Sequence, residues 1–196
     1  CLNWHYSKSL PVGKIVKVGA WEDSKFIGVI LFSWGANHNL SNPYGLEMIE
    51  CCELVRVALT KHVTPVSRIM AIAIGRLKKQ STGLRLIVSY ADTAQGHHGG
   101  IYQATNWIYT GLSSIEKVYF LENGEAVKTR RHIDKKGVVI RTEKQLPKNR
   151  YIYFLGNKKQ VAEYNSLLKY KPQPYPKSEN KRYDASYKPN VQIGLF

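Results

Sequence analysis

The sequence has few cysteines, no long apolar run and few acidic residues. Its three cysteines are Cys1, Cys51 and Cys52, and no CxxC pair occurs, which argues against a disulfide framework and a structural zinc site. Cys51 and Cys52 are neighbours in a predicted strand, where successive side chains point to opposite faces and disfavour a mutual bridge. No segment approaches the roughly eighteen consecutive apolar residues of a membrane span, and the start has no signal-peptide core. We expect a soluble protein of a reducing cytoplasm, with no membrane partner.

Basic residues outnumber acidic ones by two to one. The chain has 29 Lys and Arg against 14 Asp and Glu, which gives a net charge of +15. The excess lies mainly after residue 116, where 18 basic residues face 7 acidic ones, whereas residues 1–116 contain 11 and 7. A polyanion such as nucleic acid fits this balance as a partner, although a solubilising surface would have the same composition.

The pattern of apolar residues predicts one α/β (α+β) domain. Residues 12–18 and 26–32 are short apolar runs with a turn between them, which indicates an antiparallel hairpin. Two strand, turn and helix units follow, one from Met48 to a basic helix end near Lys79 and one from Leu84 through Ile108. Further strands are predicted at 118–121, 137–141 and 151–155, and a helix at 159–168.

The domain is expected to span residues 1–170, with a mixed central sheet flanked by helices. Residues 171–196 are rich in Pro, Lys and Tyr and have no helical or strand period, so they are predicted to form an extended tail. The sequence contains no internal repeat.

Titratable residues collect in the turn and helix after the strand that starts at Leu84. Asp92 follows the strand end, where it suits either a general base or the cap of the next turn. Tyr102 suits proton transfer, or else a core position with a satisfied hydroxyl. His97 and His98 stand in a glycine-flanked turn, an arrangement that fits metal binding, proton transfer, phosphate contact or simple solvation.

Two further segments have residue types that bind nucleic acids. Residues 33–45 form a long loop in which Trp34, Asn37 and Asn42 suit stacking on a base and hydrogen bonding to it, with a lid over the core as the alternative for Trp34. A basic cluster between two predicted strands suits phosphate contact, or else a solvated hairpin. The cluster consists of Arg130, Arg131, His132, Lys135 and Lys136.

The order of the two strand, turn and helix units, with Tyr102 in the last helix, resembles the core of the GNAT acetyltransferase-like superfamily. A closer resemblance is to the phage Mom family, and it covers nearly the whole chain. It rests on HYSKSLPVGK at His5–Lys14, ELVRVAL at Glu53–Leu59, TPVSR at Thr64–Arg68, YADTAQGHHGGIYQATNWIYTG and LKYKPQPYPK. The resemblance implies a GNAT-like enzyme that converts the exocyclic amino group of adenine in double-stranded phage DNA to a carbamoylmethyl form, which protects that DNA from host restriction enzymes.

The resemblance also implies roles for individual residues. The implied catalytic residues are His5, Tyr6, Arg56, Ser67, Asp92 and Tyr102, with Ser67 and Arg68 at a cofactor site. Family descriptions mention iron, for which the candidate ligands are His5, Tyr6, Asp92 and His98. A homodimer is a further expectation.

The turn before the first long helix departs from ordinary GNAT enzymes. Residues 61–67 read KHVTPVS and contain no glycine, whereas a glycine-rich loop lets backbone amides approach a pyrophosphate. Acetyl-coenzyme A is therefore disfavoured, and the donor stays open among acyl and aminoacyl-type compounds. Two alternatives to the Mom-type reaction are a GNAT-type N-acyltransferase for a small amine or protein and a non-catalytic, basic nucleic-acid-binding module.

Overall fold

The structure is a computed structural model. It describes His5 and residues 10–11, 13–35, 37, 39–128 and 133–177, with backbone alone for Asp134 and Lys135. None of the helices in these ranges is long and apolar enough to cross a membrane.

The chain enters the main sheet through the predicted hairpin. Strands β1 (Ile15–Glu22) and β2 (Lys25–Ser33) pair antiparallel, joined by Asp23 and Ser24 at φ 47° and 63°. Positive φ at both positions matches the tight turn that fits the twist of two strands. Strand β3 (Cys51–Leu59) pairs antiparallel with β2 and begins three residues later than predicted, because Met48–Glu50 forms a 3-10 turn.

The first strand, turn and helix unit is confirmed. Helix α1 (Val66–Gln80) starts directly after Pro65 and buries its apolar side against the sheet. Strand β4 (Leu86–Ala91) follows it and pairs in parallel with β3.

The second helix is much shorter than predicted. Helix α2 (Gly100–Gln103) is a single turn, and Ile108, predicted on its apolar side, instead opens strand β5 (Ile108–Leu112). Asn106 adopts a left-handed φ of 58°, which ends the helical path. Ile108 then pairs with Ile152 of strand β9 (Asn149–Phe154), so strand pairing decides the local structure.

The main sheet has six strands in the order β1-β2-β3-β4-β9-β5. Its one described parallel contact joins Cys51–Glu53 of β3 to Leu86–Val88 of β4, and the other described pairs are antiparallel. Beyond these three positions β3 continues only along β2, and β4 only along β9. The described pairing of β3 with β4 therefore ends at Glu53 and Val88, and we call this interruption in the middle of the sheet the cleft between β3 and β4. The predicted α+β class with a mixed sheet is confirmed.

A second sheet is inserted between β5 and β9. It contains β6 (Lys117–Leu121), β7 (Ala126–Val127) and β8 (Val139–Lys144) in the order β7-β6-β8, with the short helix α3 (Ile133–Lys136) before β8. Backbone and side chain of Ser113 bond to Lys148 at 2.8 and 3.0 Å and close the base of this insertion. The sequence predicted β6 and β8 as strands but gave no sign that they form a separate sheet.

The main sheet is covered on both faces. On one face α1 packs against Leu54, Ile87 and Tyr151. On the other, helix α4 (Lys158–Ser166), close to its predicted bounds, packs against a cluster with Leu86 and Val88. Cys51 and Cys52 fall in clusters on opposite faces and are free thiols, as the strand assignment predicts.

The described part of the expected tail lies against the sheet edge. The Gln173 amide donates to the Tyr109 carbonyl at 2.9 Å, and the Tyr175 hydroxyl donates to the Trp107 carbonyl at 2.7 Å. Residues up to Lys177 thus shield the free edge of β5, a device that blocks edge-to-edge pairing with another chain. The domain boundary at residue 170 stays a prediction, and residues 178–196 lie outside the described ranges.

Candidate functional site

The side chain of Ser89 in β4 forms a hydrogen bond to β3 across the cleft. Ser89 Oγ donates to the Leu54 carbonyl across the cleft at 2.7 Å and lies 2.7 Å from the Tyr102 hydroxyl oxygen. A serine has a single hydroxyl proton, so when it donates to the carbonyl the tyrosine acts as the donor to Ser89. This chain of bonds ties α2 to the point where the two strands separate.

Tyr102 is placed in the core on the α1 side. Its ring packs against Trp107 and Tyr151, with ring centroids 5.1 and 5.0 Å away. Burial raises the pKa of Tyr102 to about 12, so its phenol keeps its proton at neutral pH. The structure therefore shows a satisfied core hydroxyl at the cleft, and the predicted role of Tyr102 in proton transfer stays a prediction.

Glu53 of β3 points to the face of the sheet that lies opposite to α1 and Tyr102. Its neighbours Cys52 and Leu54 face α1, so Glu53 faces the other side of the sheet, opposite Ser33 and beside Val88. No ion pair or hydrogen bond among the described residues reaches its carboxylate. Burial raises its pKa to about 7, an effect that the charges of Lys148 and Arg56 only partly oppose.

The loop after β2 closes over this carboxylate. Gly35 has a left-handed φ of 76°, and a Cβ on it would lie 2.6 Å from Glu53 Oε2. A glycine is therefore needed for this close approach. Sequence reasoning placed Glu53 in a strand but assigned it no function, because alternation alone does not show that a charged side chain is enclosed.

Three predicted or suspected site residues lie close enough for their charges to interact. Arg56 donates from Nη1 to the Val55 carbonyl at 2.7 Å, while its buried Nε has no hydrogen-bond partner among the described residues. Burial, and after it the nearby charges of Arg56 and His97, lower the pKa of His5 to about 3. His5, Arg56 and His97 thus come together from distant parts of the chain, whereas Tyr6 lies outside the described residues.

Asp92 caps the turn after β4. Its Oδ1 accepts a hydrogen bond from the Ala94 amide at 3.1 Å, and its backbone carbonyl accepts from the amides of Gln95 and His97. Burial lowers the pKa of His97, and the charge of Asp92 opposes that shift. The capping alternative is therefore realised, and the predicted catalytic role of Asp92 stays a prediction beside it.

The turn that contains His98 is clamped from β9. The Tyr151 hydroxyl donates to the His98 carbonyl at 2.5 Å and accepts from Gln103 Nε2 at 3.1 Å. Gly99 has φ 93°, and a Cβ there would overlap the ring of Tyr151. The ring lies directly on the glycine backbone, so the position of His97 and His98 depends on this contact.

We expect Gly99→Ala to displace this turn and to lower the free energy of unfolding by about 2–4 kcal/mol, from overpacking plus backbone strain. Urea denaturation measures the change. Gly96→Ala is the matched control, because Gly96 also has a positive φ of 68° but has open space around its Cβ position. Equal losses for the two variants would show that overlap with Tyr151 is unimportant.

A pocket lies between the start of α1 and the residues after α2. Its cavity volume is about 410 Å³. Ser67 and Arg68, predicted at a cofactor site, line it from the first turn of α1, and Tyr153 contributes from β9. The remaining lining residues are Ala71, Ile74, Ala104, Thr105 and Asn106.

The described residues do not form a metal centre. Among them, no three His, Cys, Asp or Glu side chains come together in a way that would hold a metal ion. The implied iron ligands His5, Asp92 and His98 therefore do not make such a group by themselves, and Tyr6 lies outside the described ranges. Iron binding therefore stays a prediction, and no step of the proposed reaction depends on it.

The loop residues predicted to contact a base have mixed surroundings. Trp34 is 45% exposed with Lys14 Nζ 5.6 Å from its ring centroid, so it is not a buried lid over the core. Asn37 Oδ1 accepts from the Asn39 amide at 2.9 Å, and Asn42 Nδ2 donates to Asn39 Oδ1 at 3.3 Å. Both amides thus bond within the loop, while Trp34 is open to a partner beside Gly35 and Glu53.

The predicted basic cluster is described only at its end. Arg130, Arg131 and His132 lie outside the described residues, as does the side chain of Lys135. Lys136 forms an exposed ion pair with Glu125 in the inserted sheet. Its role in phosphate contact stays a prediction.

Comparison with known proteins identifies the family. Residues 1–177 match the Mom protein family. The chain belongs to the Mom protein family. A curated relative is the methylcarbamoylase mom of Escherichia phage Mu, 27% identical over 188 residues that cover 88% of this chain and 76% of the relative. The resemblance predicted from the sequence is thus confirmed, and the match ends at Lys177, the last residue of the described segment that packs on β5.

Proposed function

We propose that this chain is a DNA-modifying transferase that converts the exocyclic amino group of adenine to a carbamoylmethyl form and so protects phage DNA from restriction in the host cytoplasm. The observation that carries the proposal is a pocket beside α1 on one face of the sheet, with the enclosed Glu53 and Arg56 on the other face, where the pairing of β3 with β4 ends. Membership in the Mom family, with a relative named methylcarbamoylase, supports this reaction.

A GNAT-like fold is part of the proposal. The support is the order of the six strands, in which two parallel neighbours at the centre pair over three residues and then diverge. A crevice at the carboxyl ends of neighbouring parallel strands is where open α/β sheets bind ligands. The donor would enter such a crevice from the side of α1.

The pocket beside α1 is the proposed donor site. Ser67 and Arg68 present a hydroxyl and a guanidinium at the first turn of a fifteen-residue helix, where the helix dipole also favours an anionic group. The turn before this helix has no glycine to bring backbone amides close to a pyrophosphate, so the donor need not be acetyl-coenzyme A. A donor compound with a negative group fits the lining.

DNA is the proposed acceptor. The adenine amine is a weak nucleophile and sits inside a stacked duplex, so the enzyme needs an aromatic surface for the extracted base and cations for the backbone. Exposed Trp34, next to the loop that covers Glu53, is the proposed stacking surface. The excess of basic residues after residue 116 is the proposed source of phosphate contacts.

Mass spectrometry of nucleosides tests the proposal. Plasmid DNA from cells that express the chain is digested and compared with DNA from cells with an empty vector. We expect a new deoxyadenosine derivative that has the mass of a carbamoylmethyl adduct. An unchanged deoxyadenosine profile, with folded protein in the cells, contradicts the proposal, and an acetyl adduct would favour the N-acyltransferase alternative.

Two variants test the implied catalytic residues in the same assay. Asp92→Asn keeps an acceptor for the Ala94 amide but removes the charge, and Tyr102→Phe removes only the hydroxyl that meets Ser89. We expect both to lose the product and to retain DNA binding. Product at the level of the unmodified chain in either variant would remove that residue from the mechanism.

A further inference from the structure

We propose that Glu53 is the base that accepts the proton of the adenine amine. The assignment rests on the function proposed above and adds a residue for which neither the comparisons nor the sequence indicated a role. Its support is a position at the end of the pairing of β3 with β4, an enclosed carboxylate and the absence of a structural contact to that carboxylate among the described residues. Each of these is a separate observation.

Glu53 is the last residue of β3 that pairs with β4. Its partner in the pairing is Val88, and the next residue of β4 is Ser89, which bonds across the cleft. Beyond this pair the two strands separate. The proposal therefore places the adenine amine at the end of this pairing, on the face of the sheet to which Glu53 points.

The carboxylate is enclosed but not used to hold the fold. No described residue makes an ion pair or hydrogen bond with it, in contrast to Asp92 and Glu22, whose oxygens cap backbone amides. A partly buried acid without a partner costs stability, because burial disfavours its charged form. A side chain that lowers stability in this way and makes no contact that supports the fold is typical of functional sites.

Burial and the charged groups around Glu53 determine its pKa. Burial is the largest influence and raises its pKa to about 7, Lys148 and Arg56 oppose this, and Glu116 adds to it. Glu53 in turn helps to raise the pKa values of its uncharged neighbours, which are Tyr90, Tyr102, Cys51 and Cys52. A base with a pKa near the working pH is ionised in a large fraction and still holds a proton firmly.

The chemical step then balances as a substitution. The donor is an electrophilic compound X–CH₂–C(O)NH₂, in which X is a leaving group. The adenine N6 forms a bond to the CH₂ carbon, the bond between that carbon and X breaks, and X takes the electron pair. Glu53 takes the proton from N6 and becomes the neutral acid, which releases the proton to water after the product leaves.

The decisive variant is Glu53→Gln, which keeps the shape of the side chain and removes the base. We expect it to lower product in the plasmid assay about 100-fold, the usual contribution of a positioned base, with unchanged affinity for duplex DNA. Glu53→Asp, which withdraws the carboxylate by one methylene, should also lose product. Glu163→Gln on the exposed side of α4 is the matched control and should retain full product.

Two pH measurements distinguish a base from a group that merely packs. In cell extract that supplies the donor, the rate of the unmodified chain should rise with an inflection near pH 7, and the residual rate of Glu53→Gln should not. Because the folded-state pKa lies above the ordinary value of 4.5, the folded state binds more protons between these values. The Tm of the unmodified chain should therefore fall relative to Glu53→Gln as pH rises from 4.5 to 7.

The outcomes separate the two proposals. Product in Glu53→Gln within twofold of the unmodified chain overturns the role of Glu53 and leaves the proposed function standing. Absence of product in both the unmodified chain and Glu163→Gln overturns the proposed function, and the role of Glu53 with it. Loss of product in Glu53→Gln together with weaker DNA binding or a pH-independent Tm difference assigns Glu53 to structure and contradicts the inference.

Discussion

Ala104→Trp is expected to lower the yield of modified adenine by about tenfold or more while DNA affinity and Tm stay unchanged, because a bulky ring would occupy the proposed donor pocket. Ala104 is exposed at the end of α2 and lines the cavity of about 410 Å³ together with Ser67 and Arg68. An exposed site tolerates a large side chain in the fold, so the loss would be specific to the ligand.

The matched control is Ala162→Trp on the exposed side of α4, which lies outside the pocket lining. Both variants are compared by the nucleoside assay, by thermal unfolding and by binding to duplex DNA. Full product with Ala104→Trp would show that the donor binds elsewhere. Equal losses in both variants would point to a general effect of an added surface tryptophan.

Arg150→Ala is expected to lower the free energy of unfolding by about 3–5 kcal/mol, the largest stability effect among the variants considered. The guanidinium is buried in the sheet, where Nε donates to Thr110 Oγ1 at 2.9 Å and Nη2 to the Thr110 carbonyl at 2.7 Å. It also stacks on Tyr170, 3.6 Å from the ring centroid. One side chain thus joins β9, β5 and the segment after α4.

Two opposing effects decide this outcome. Removal of a buried cation regains the cost of its desolvation, yet the guanidinium is weakly hydrated, and each hydrogen bond to a charged group is worth about 1.5–3 kcal/mol. Removal of Arg150 therefore costs more free energy than the relief from desolvation returns. The cost comes from the lost hydrogen bonds, the unpaired Thr110 carbonyl and the cavity. Arg150→Met keeps much of the volume and should lose about half as much, because packing survives without the bonds.

Urea denaturation of the two Arg150 variants and of Arg141→Ala measures the effect. Arg141 is an exposed arginine of the inserted sheet that stacks on Phe120, so its removal should change stability by about 0.5 kcal/mol or less. A loss below about 1 kcal/mol for Arg150→Ala would show that its buried contacts are compensated by relief from desolvation.

Local patterns were enough for the elements that depend on local physics. The hairpin of β1 and β2, helix α1 after Pro65 and helix α4 follow from apolar periodicity and turn residues, and the structure has them near their predicted places. The prediction failed for the segment at Ile108. Its apolar residues suit a helix or a strand equally, and only the pairing with Ile152 selects the strand.

The candidate site shows the same division. Sequence motifs drew attention to Asp92, Tyr102, Arg56 and Ser67, and the structure places Tyr102 and Ser67 on the α1 side and Arg56 on the other. The sequence predicted no function for Glu53. The proposed role of Glu53 rests on its enclosure under Gly35 and on its position at the end of the pairing with β4. Neither feature can be predicted from the spacing of residues in the sequence.

The sequence by itself determined the family, the α+β class and the basic charge, because motif, composition and periodicity are properties of the chain. Only the tertiary structure decided where β3 and β4 part and which side chains gather there. His5 and His97 are far along the chain from Arg56, and the three influence one another only once the strands and their connections have folded. The raised pKa of Glu53 likewise exists only in the folded state, since burial is its largest cause.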